Sequence, residues 1–370
     1  MKIIVNATAN DSRGPLSVTM SFLKELNENQ HFLETNKISL YVIVSHPTLL
    51  QYSSNNIEIL LEKFPKKSVF HKFLYERFIL PKKINEENFD AYLSLQNLGI
   101  SHIAINQYVL VQTSLPIANI NFSEISPNLY IKYRIFLLKL FRRELSKYTA
   151  VFVQTKWMKE GILDKCKKID NRRVMVIKPP ANDIFSLNDP LPTEILNKLQ
   201  KNSHTTKLIY PTNQDSYKNN EFLIEGIKKY NGNASEKVTL YLTVEGEDTE
   251  YIKFLGRIPY SSMYLAYLEV DALVFSSLTE TVGLPLVEAQ NCGLPCIVAD
   301  LPYAQEVCGT NGFYFDPRSI NSFVNALKKY LNEKDNFSSI VTKYDSESYL
   351  SYIDHITKDL RKNSTSIGSK

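Results

Sequence analysis

The sequence predicts an α/β fold made of two Rossmann-like domains, each carrying a parallel sheet. Three observations lead there. Short apolar runs alternate with amphipathic stretches along the chain, as when strands and helices follow one another in turn. The 370 residues are enough for two domains of ordinary size. Each half also opens in the same way, strand then loop then helix, at Lys2 and again at Lys207.

Composition narrows the function classes. Hydrophobic residues at 44% and charged residues at 22% suit a soluble globular chain. A net charge of +4 does not point to nucleic acid. No apolar run is long enough for a transmembrane helix, and Lys2-Ile3-Ile4-Val5 enters a strand without a signal-peptide pattern, so the expected location is cytoplasmic. Cys292 and Cys296 are four apart, but one ends a helix and the other lies in a strand. With Cys166 and Cys308 they read as buried free thiols, and the scattered His residues have no metal-ligand spacing. No metal site is expected.

The elements follow in order. Lys2 to Ala7 is a strand, and Leu16, Met20, Leu23 and Leu26 repeat at helical spacing after the loop Asp11-Ser12-Arg13-Gly14-Pro15. That loop is not G-x-G-x-x-G, so a dinucleotide fingerprint is absent. Ile38–Val44, Ile57–Leu61, Asp90–Leu95 and Tyr108–Gln112 read as strands. Between them, Lys63–Lys83 is basic and aromatic, with a helix over Val69–Phe78 that Pro81-Lys82-Lys83 ends.

Pro127–Tyr148 reads as an unusual helix. At 100° per residue, Tyr130, Leu137, Phe141 and Leu145 share one face, and Lys132, Lys139, Arg143 and Lys147 share the other. Phe136 and Leu140 fall on the basic side. From Lys132 to Lys147 six basic residues stand against one acid, Glu144, which suits either an anionic membrane surface or a core helix with a solvated basic face. Ala150–Thr155 and Arg173–Ile177 close the first domain, expected over residues 1–182. Asp183–Lys201, polar and proline-bearing, fits an interdomain linker. The second domain, 183–343, begins with the strand Lys207–Tyr210, the loop Pro211–Asn220 and a helix through Tyr230. Val238–Val244 is its next strand, and Ser262–Leu268 and Ser319–Leu331 read as helices. Residues 344–360 form a last helix, expected to pack back on the first domain.

Asp271–Pro317 is the most informative stretch. Ala272–Phe275 is a buried strand. Glu280 follows, Gly283-Leu284-Pro285 opens a helix containing Glu288, Gly293 ends it, and Pro295–Ala299 is the next strand. Free N–H groups around Val282, Gly283 and Leu284, with the helix dipole, favour an anion such as a diphosphate. A carboxylate accepts hydrogen bonds from sugar hydroxyls well.

The run Thr279-Glu280-Thr281-Val282-Gly283-Leu284-Pro285-Leu286-Val287-Glu288-Ala289, with Gly293-Leu294-Pro295, Glu306-Val307 and Phe315-Asp316-Pro317 after it, resembles the family-4 retaining glycosyltransferases of GT-B fold (glycosyl transferases group 1). The resemblance extends over most of residues 150–332. It implies two Rossmann-like domains whose parallel sheets face a central cleft, the first binding acceptor and the second binding donor.

The same resemblance suggests roles for individual residues. Glu288 would bind the ribose hydroxyls and Glu280 the donor sugar. Lys218, with the N–H groups near Gly283 and Leu284, would carry the diphosphate charge. The family's loop Arg falls on Thr212, leaving half of that clamp missing. Phe254-Leu255-Gly256-Arg257-Ile258 matches the segment whose backbone meets the nucleobase, and Arg257 is a further source of charge. Gly14 and Ser17, with Arg13, occupy the place of the glycine-rich loop on the acceptor side, where a plain strand–helix turn is the alternative. Gln112, the third catalytic candidate beside Glu280 and Lys218, stands where members of that family often carry His close to the transferred sugar. It moves no proton, although its amide hydrogen-bonds a sugar well.

The expected function is therefore a retaining, metal-independent hexosyltransferase. It would move a sugar from a nucleotide diphosphate sugar to a glycan acceptor, lipid-linked, in bacterial surface polysaccharide synthesis. Its place would be peripheral at the inner face of the cell membrane, with no cofactor beyond the donor. A GT-B nucleotide-sugar epimerase and a non-catalytic glycosyltransferase-like partner subunit are the alternatives.

Overall fold

The computed structural model describes residues 1–11, 13–180, 189–201, 204–336 and 346–367. They divide into two compact units. Met1–Ile117, Arg134–Pro180 and Ser346–Lys370 make the first, and Ala118–Tyr133 with Ala181–Asp345 make the second. The stretch Ala118–Tyr133, placed with the N-terminal half by sequence, therefore groups with the second unit. Arg318 holds it there by ion-pairing with Glu124 at 2.5 Å and donating to the Asn119 carbonyl. The Ser126 N–H also donates to Ser216 Oγ at 2.8 Å.

The first unit is built on seven strands: β1 Lys2–Ala7, β2 Ser39–Val44, β3 Ile57–Leu61, β4 Ala91–Ser94, β5 Asn106–Leu110, β6 Ala150–Val153 and β7 Val174–Val176. Their order is β3-β2-β1-β4-β5-β6-β7, every pair parallel. The second unit has six: β8 Thr206–Tyr210, β9 Val238–Leu242, β10 Ile252–Phe254, β11 Ala272–Phe275, β12 Cys296–Ala299 and β13 Gly312–Phe315. They run β10-β9-β8-β11-β12-β13, again all parallel. Strands covered on both faces need continuous apolar runs, and β4, β6, β9, β11 and β12 are buried at every position. In both units the order reverses beside the first strand, between β1 and β4 and between β8 and β11. That reversal leaves a crevice at the carboxyl ends of the strands.

Several details differ from the sequence reading. β5 starts and ends two residues early, because the Gln112 N–H leaves the ladder for Asn97 Oδ1 at 2.7 Å. The strand β10, only three residues long, had no apolar run to announce it. Thr193–Lys201, taken for linker, is a helix that buries Ile195 and Leu199 one turn apart; residues 181–188 of that linker lie outside the described ones.

A further difference is at Pro81, which does not end its helix. Val69–Leu74 passes through a π turn, Tyr75–Ile79, into Leu80–Glu86. The Leu80 N–H donates to the Tyr75 carbonyl, five residues back. The wider turn brings Leu80 and then Ile84 round to the buried side that Tyr75 occupies, and it accommodates the missing Pro81 N–H.

The core of the first unit is closed by a helix distant in sequence from the strands it covers. The C-terminal helix Leu350–Ile367 belongs to the first unit, where Tyr352, Ile353 and Ile356 are fully buried. Tyr352 meets Phe152 edge-on at 5.1 Å, and Tyr108 Oη donates to Asp359 Oδ2 at 2.5 Å. In the second unit, a Cβ at Gly226 would stand 2.4 Å from the Phe323 ring, so only glycine lets Asn220–Asn233 approach Ile320–Glu333 this closely. All four cysteines are free thiols, three of them buried. Among the described residues no helix is long and apolar enough to cross a membrane.

Candidate active site in the second unit

The β8–β11 crevice gathers the strongest site residues. β8 ends at Tyr210, and the chain returns through a 3-10 turn, Ser216–Lys218, before Asn219 enters the helix in the left-handed region (φ 59°). β11 ends at Phe275 and leads to Ser276-Ser277-Leu278-Thr279-Glu280. Hydrogen bonds sew the two loops together. Ser276 Oγ donates to the carbonyl of Lys218 (3.0 Å) and, at 3.2 Å, to that of Asn219. Tyr210 Oη donates to the Lys218 carbonyl, and the Leu278 N–H to the Tyr217 carbonyl, both at 2.8 Å. Lys218 is therefore fixed at its backbone.

Its side chain is fixed as well. Lys218 Nζ meets Glu280 Oε1 at 2.5 Å, with side-chain exposures of only 13% and 17%. The ammonium also lies 5.3 Å from the Tyr217 ring centroid and 5.9 Å from that of Phe275. An ammonium so placed is short of water, and its charge is felt strongly by any anion that replaces the carboxylate. Thr279 Oγ1, buried beside this pair, has no hydrogen-bond partner among the described residues.

Gly283 sets the geometry of the next helix. Its φ of 80° puts it in the left-handed region at the N-cap of Leu284–Asn291, where no side chain caps the free N–H groups. An added Cβ would lie 3.2 Å from Leu286 Cδ1. Gly283→Ala is expected to lower stability by about 1–2 kcal/mol, measured by urea denaturation. Pro285 sits in the first turn, where its missing N–H has no helical partner to lose.

Glu288, one turn into that helix, is 7% exposed. Tyr267 Oη donates to its Oε2 at 2.9 Å and Tyr260 Oη to its Oε1 at 3.1 Å. Burial pushes this carboxyl above the usual carboxylate range, and the two phenol bonds pull it partly back. Neither tyrosine was singled out from the sequence. Their signal was the spacing of seven, which puts both on one side of Tyr260–Ser262 and the following helix Met263–Leu268.

The remaining donor-side residues are more modest. Thr212 is committed to its own loop: its N–H donates to Thr243 Oγ1 and its Oγ1 to Asn220 Oδ1, both at 2.8 Å. It adds no charge. Ile258 is buried and Arg257 exposed. Gly256, at φ 65°, turns this segment, and its N–H donates to the Val244 carbonyl. A cavity of about 530 Å³ lies beside the Ser216–Lys218 turn. It is lined by Glu124, Asp215, Asn219 and Arg318 among others, and neither Lys218, Glu280 nor Glu288 borders it.

The acceptor-side candidates Gly14, Ser17 and Arg13 and the catalytic candidate Gln112 all lie in the first unit. Gly14 and Ser17 are not in a loop. The helix starts at Arg13, because Pro15 and the apolar spacing from Leu16 onward continue it from its first turn. The Arg13 side chain lies outside the described residues. Gln112 Nε2 donates to the Leu95 carbonyl at 3.1 Å, as does Asn10 Nδ2 at 2.9 Å. This ties Gln112 into a polar network at the β1–β4 reversal, where Thr8 Oγ1 donates to Asn6 Oδ1 and the Ala9 N–H to Gln96 Oε1.

Comparison with known proteins supplies an independent line. Residues 193–345 match the family model described as "Glycosyl transferases group 1". The O-antigen chain mannosyltransferase RfbU of Salmonella typhimurium is 29% identical over 107 residues, 28% of this chain and 30% of that protein. The O-antigen chain mannosyltransferase B of Escherichia coli is 27% identical over 107 residues, 29% of this chain and 28% of that protein. The chain thus matches less than a third of the length of these curated relatives. Among solved structures, Anabaena HepE in complex with UDP and glucose superposes over the whole of both chains, with a TM-score of 0.62 at 14% identity. The fold is GT-B.

Proposed function

We propose, on the premise that residues 193–345 belong to glycosyl transferases group 1, that this chain transfers a sugar from a nucleoside diphosphate sugar to a hydroxyl of a glycan acceptor, with retention of configuration. The observation that carries the reading is the Lys218–Glu280 pair at the β8–β11 reversal, beside the uncapped helix start at Gly283. In the resting protein each group holds the other. A bound diphosphate takes the Lys218 ammonium and the free N–H groups near Val282, Gly283 and Leu284, and the leaving group's growing negative charge is met by donors already in place. Glu280, released from Lys218, then accepts from a donor-sugar hydroxyl. Glu288 accepts from the ribose hydroxyls when Tyr260, the exposed one of its two phenols, gives way. The Ile258 segment lies against the base, and the exposed Arg257 adds charge toward the phosphates. No step requires a metal or a cofactor.

The mannosyltransferase relatives favour a hexose donor and a role in bacterial surface polysaccharide synthesis. A lipid-linked acceptor fits the helix carrying Ile135 and Phe136, which are half-exposed or more beside Lys132, Lys139 and Arg142 and suit a cytoplasmic enzyme working at the inner membrane face. That helix is not regular. Tyr130–Leu137 is a π segment, so the faces drawn at 100° per residue hold only from Leu138 onward, where Phe141 and Leu145 are buried. Gln112 stays as a catalytic candidate, and Gly14, Ser17 and Arg13 stay as the acceptor-side candidates, all in the first unit.

The test is a thermal-shift panel of uridine, guanosine and adenosine diphosphates, followed by product analysis with the matching sugar nucleotides. A nucleoside diphosphate that raises the melting temperature, and sugar transfer seen only with a glycan acceptor, are expected. An epimerised donor formed without acceptor would replace this reading, and no response to any nucleotide would end it.

A further inference from the structure

We infer that the segment Lys63–Lys83 of the first unit is a docking surface for an anionic lipid bilayer. The inference does not depend on the transferase reading. Ser68 caps the helix Val69–Leu74 by accepting from the His71 N–H, so the apolar residues after it are held in a defined helix. That helix nevertheless turns its large side chains outward. Val69 is 89% exposed, Phe70 64%, Phe73 56%, Phe78 59% and Ile79 48%. The Phe73 and Phe78 rings meet edge to face at 6.5 Å and form one patch. The π turn Tyr75–Ile79 maintains this arrangement, since it keeps Tyr75, Leu80 and Ile84 on the buried side and leaves Phe78 and Ile79 outside. An apolar patch of this kind, left open to water, marks an interaction site.

Charge selects the occupant. Lys63–Lys83 carries seven Lys and Arg residues against one acid, Glu76. Glu76 is turned inward, accepting from Gln96 Nε2 at 2.6 Å and lying 3.6 Å from Lys72 Nζ, while Lys66 pairs with Asp11, Lys82 with Glu86 and Lys83 with Glu87. Lys63, Lys67 and Arg77 have no acidic partner among the described residues, and Lys67 and Arg77 lie over the faces of Phe64 and Phe78. Aromatic side chains projecting from a helix, ringed by uncommitted cations, match an interface of anionic headgroups over acyl chains. A neutral protein partner would leave the cations unmatched.

The full chain is to be sedimented with vesicles of phosphatidylcholine alone and with vesicles containing about 30% phosphatidylglycerol. Binding to the anionic vesicles only is expected, weakened about tenfold or more at roughly 0.5 M salt. The variant Phe70→Ser/Phe73→Ser/Phe78→Ser is expected to lose about tenfold or more in partitioning. Its melting temperature should stay that of the parent, because these side chains support no core. A second variant, Lys63→Gln/Lys67→Gln/Arg77→Gln, leaves the apolar patch intact and is expected to lose the anionic preference. Wild-type partitioning by both variants overturns the inference. So does loss of binding only in an Ile135→Ser/Phe136→Ser variant, or light scattering that shows a dimer which the triple Phe variant breaks into monomers.

Discussion

Lys218→Ala is expected to lower kcat by about 10²- to 10³-fold, with the fold intact by circular dichroism. The ammonium is the described cation that the two loops of the β8–β11 reversal hold in place, and Thr212, which adds no charge, is tied to Thr243 and Asn220. The same change also lowers stability. It leaves the Glu280 carboxylate largely buried without its partner, which costs about 3 kcal/mol, the low end for such pairs because both groups keep some exposure. The double variant Lys218→Met/Glu280→Gln separates the two effects. It removes the stranded charge and is expected to recover most of the stability measured by urea denaturation while turnover stays low. Wild-type-like turnover in Lys218→Ala would remove the site assignment.

Glu288→Gln is expected to weaken nucleotide binding about 10- to 100-fold, the worth of hydrogen bonds to a charged acceptor. The pH dependence gives a sharper criterion. Burial raises the carboxyl above its unfolded value. Its contribution to stability is thus fully present below the unfolded pKa and is lost as pH rises through the folded one. Nucleotide binding needs the ionised form and moves the other way, falling as pH drops through the same raised value. In Glu288→Gln both trends vanish, so at neutral pH the variant melts higher than the parent but binds worse. Isothermal titration and melting curves between about pH 4 and 8 test both trends. Parallel rather than opposed changes would show that Glu288 is a packing residue.

The candidate site was partly legible in the sequence, for physical reasons. Glu280, Gly283 and Glu288 lie within nine residues of one another, on a strand–turn–helix unit whose local chemistry is visible in one dimension. The alternation of strands and helices announced two parallel sheets for the same reason. The Lys218–Glu280 pairing joins residues 62 apart, and only the strand reversal brings them together. Tyr260 and Tyr267 were missed because tyrosines seven apart are ordinary core residues unless a buried acid is known to lie beneath them. At Pro81 the usual rule for proline failed, since a π turn supplied another way to continue the helix. Gly14 misled because a glycine after a strand suggests a loop, whereas Pro15 and the apolar spacing had already begun a helix.

The last helix has a consequence for how the protein is made. Tyr352, Ile353 and Ile356 complete the interior of the first unit, and Tyr108 is bonded to Asp359, 251 residues later. The ribosome therefore releases every residue of the second unit before the first can close. The half synthesised first matures last, keeping Tyr108 and Phe152 uncovered while its neighbour folds. A chain truncated before Leu350 is expected to yield a folded second unit attached to a first unit that aggregates, with limited proteolysis protecting only the second unit, Ala118–Tyr133 included.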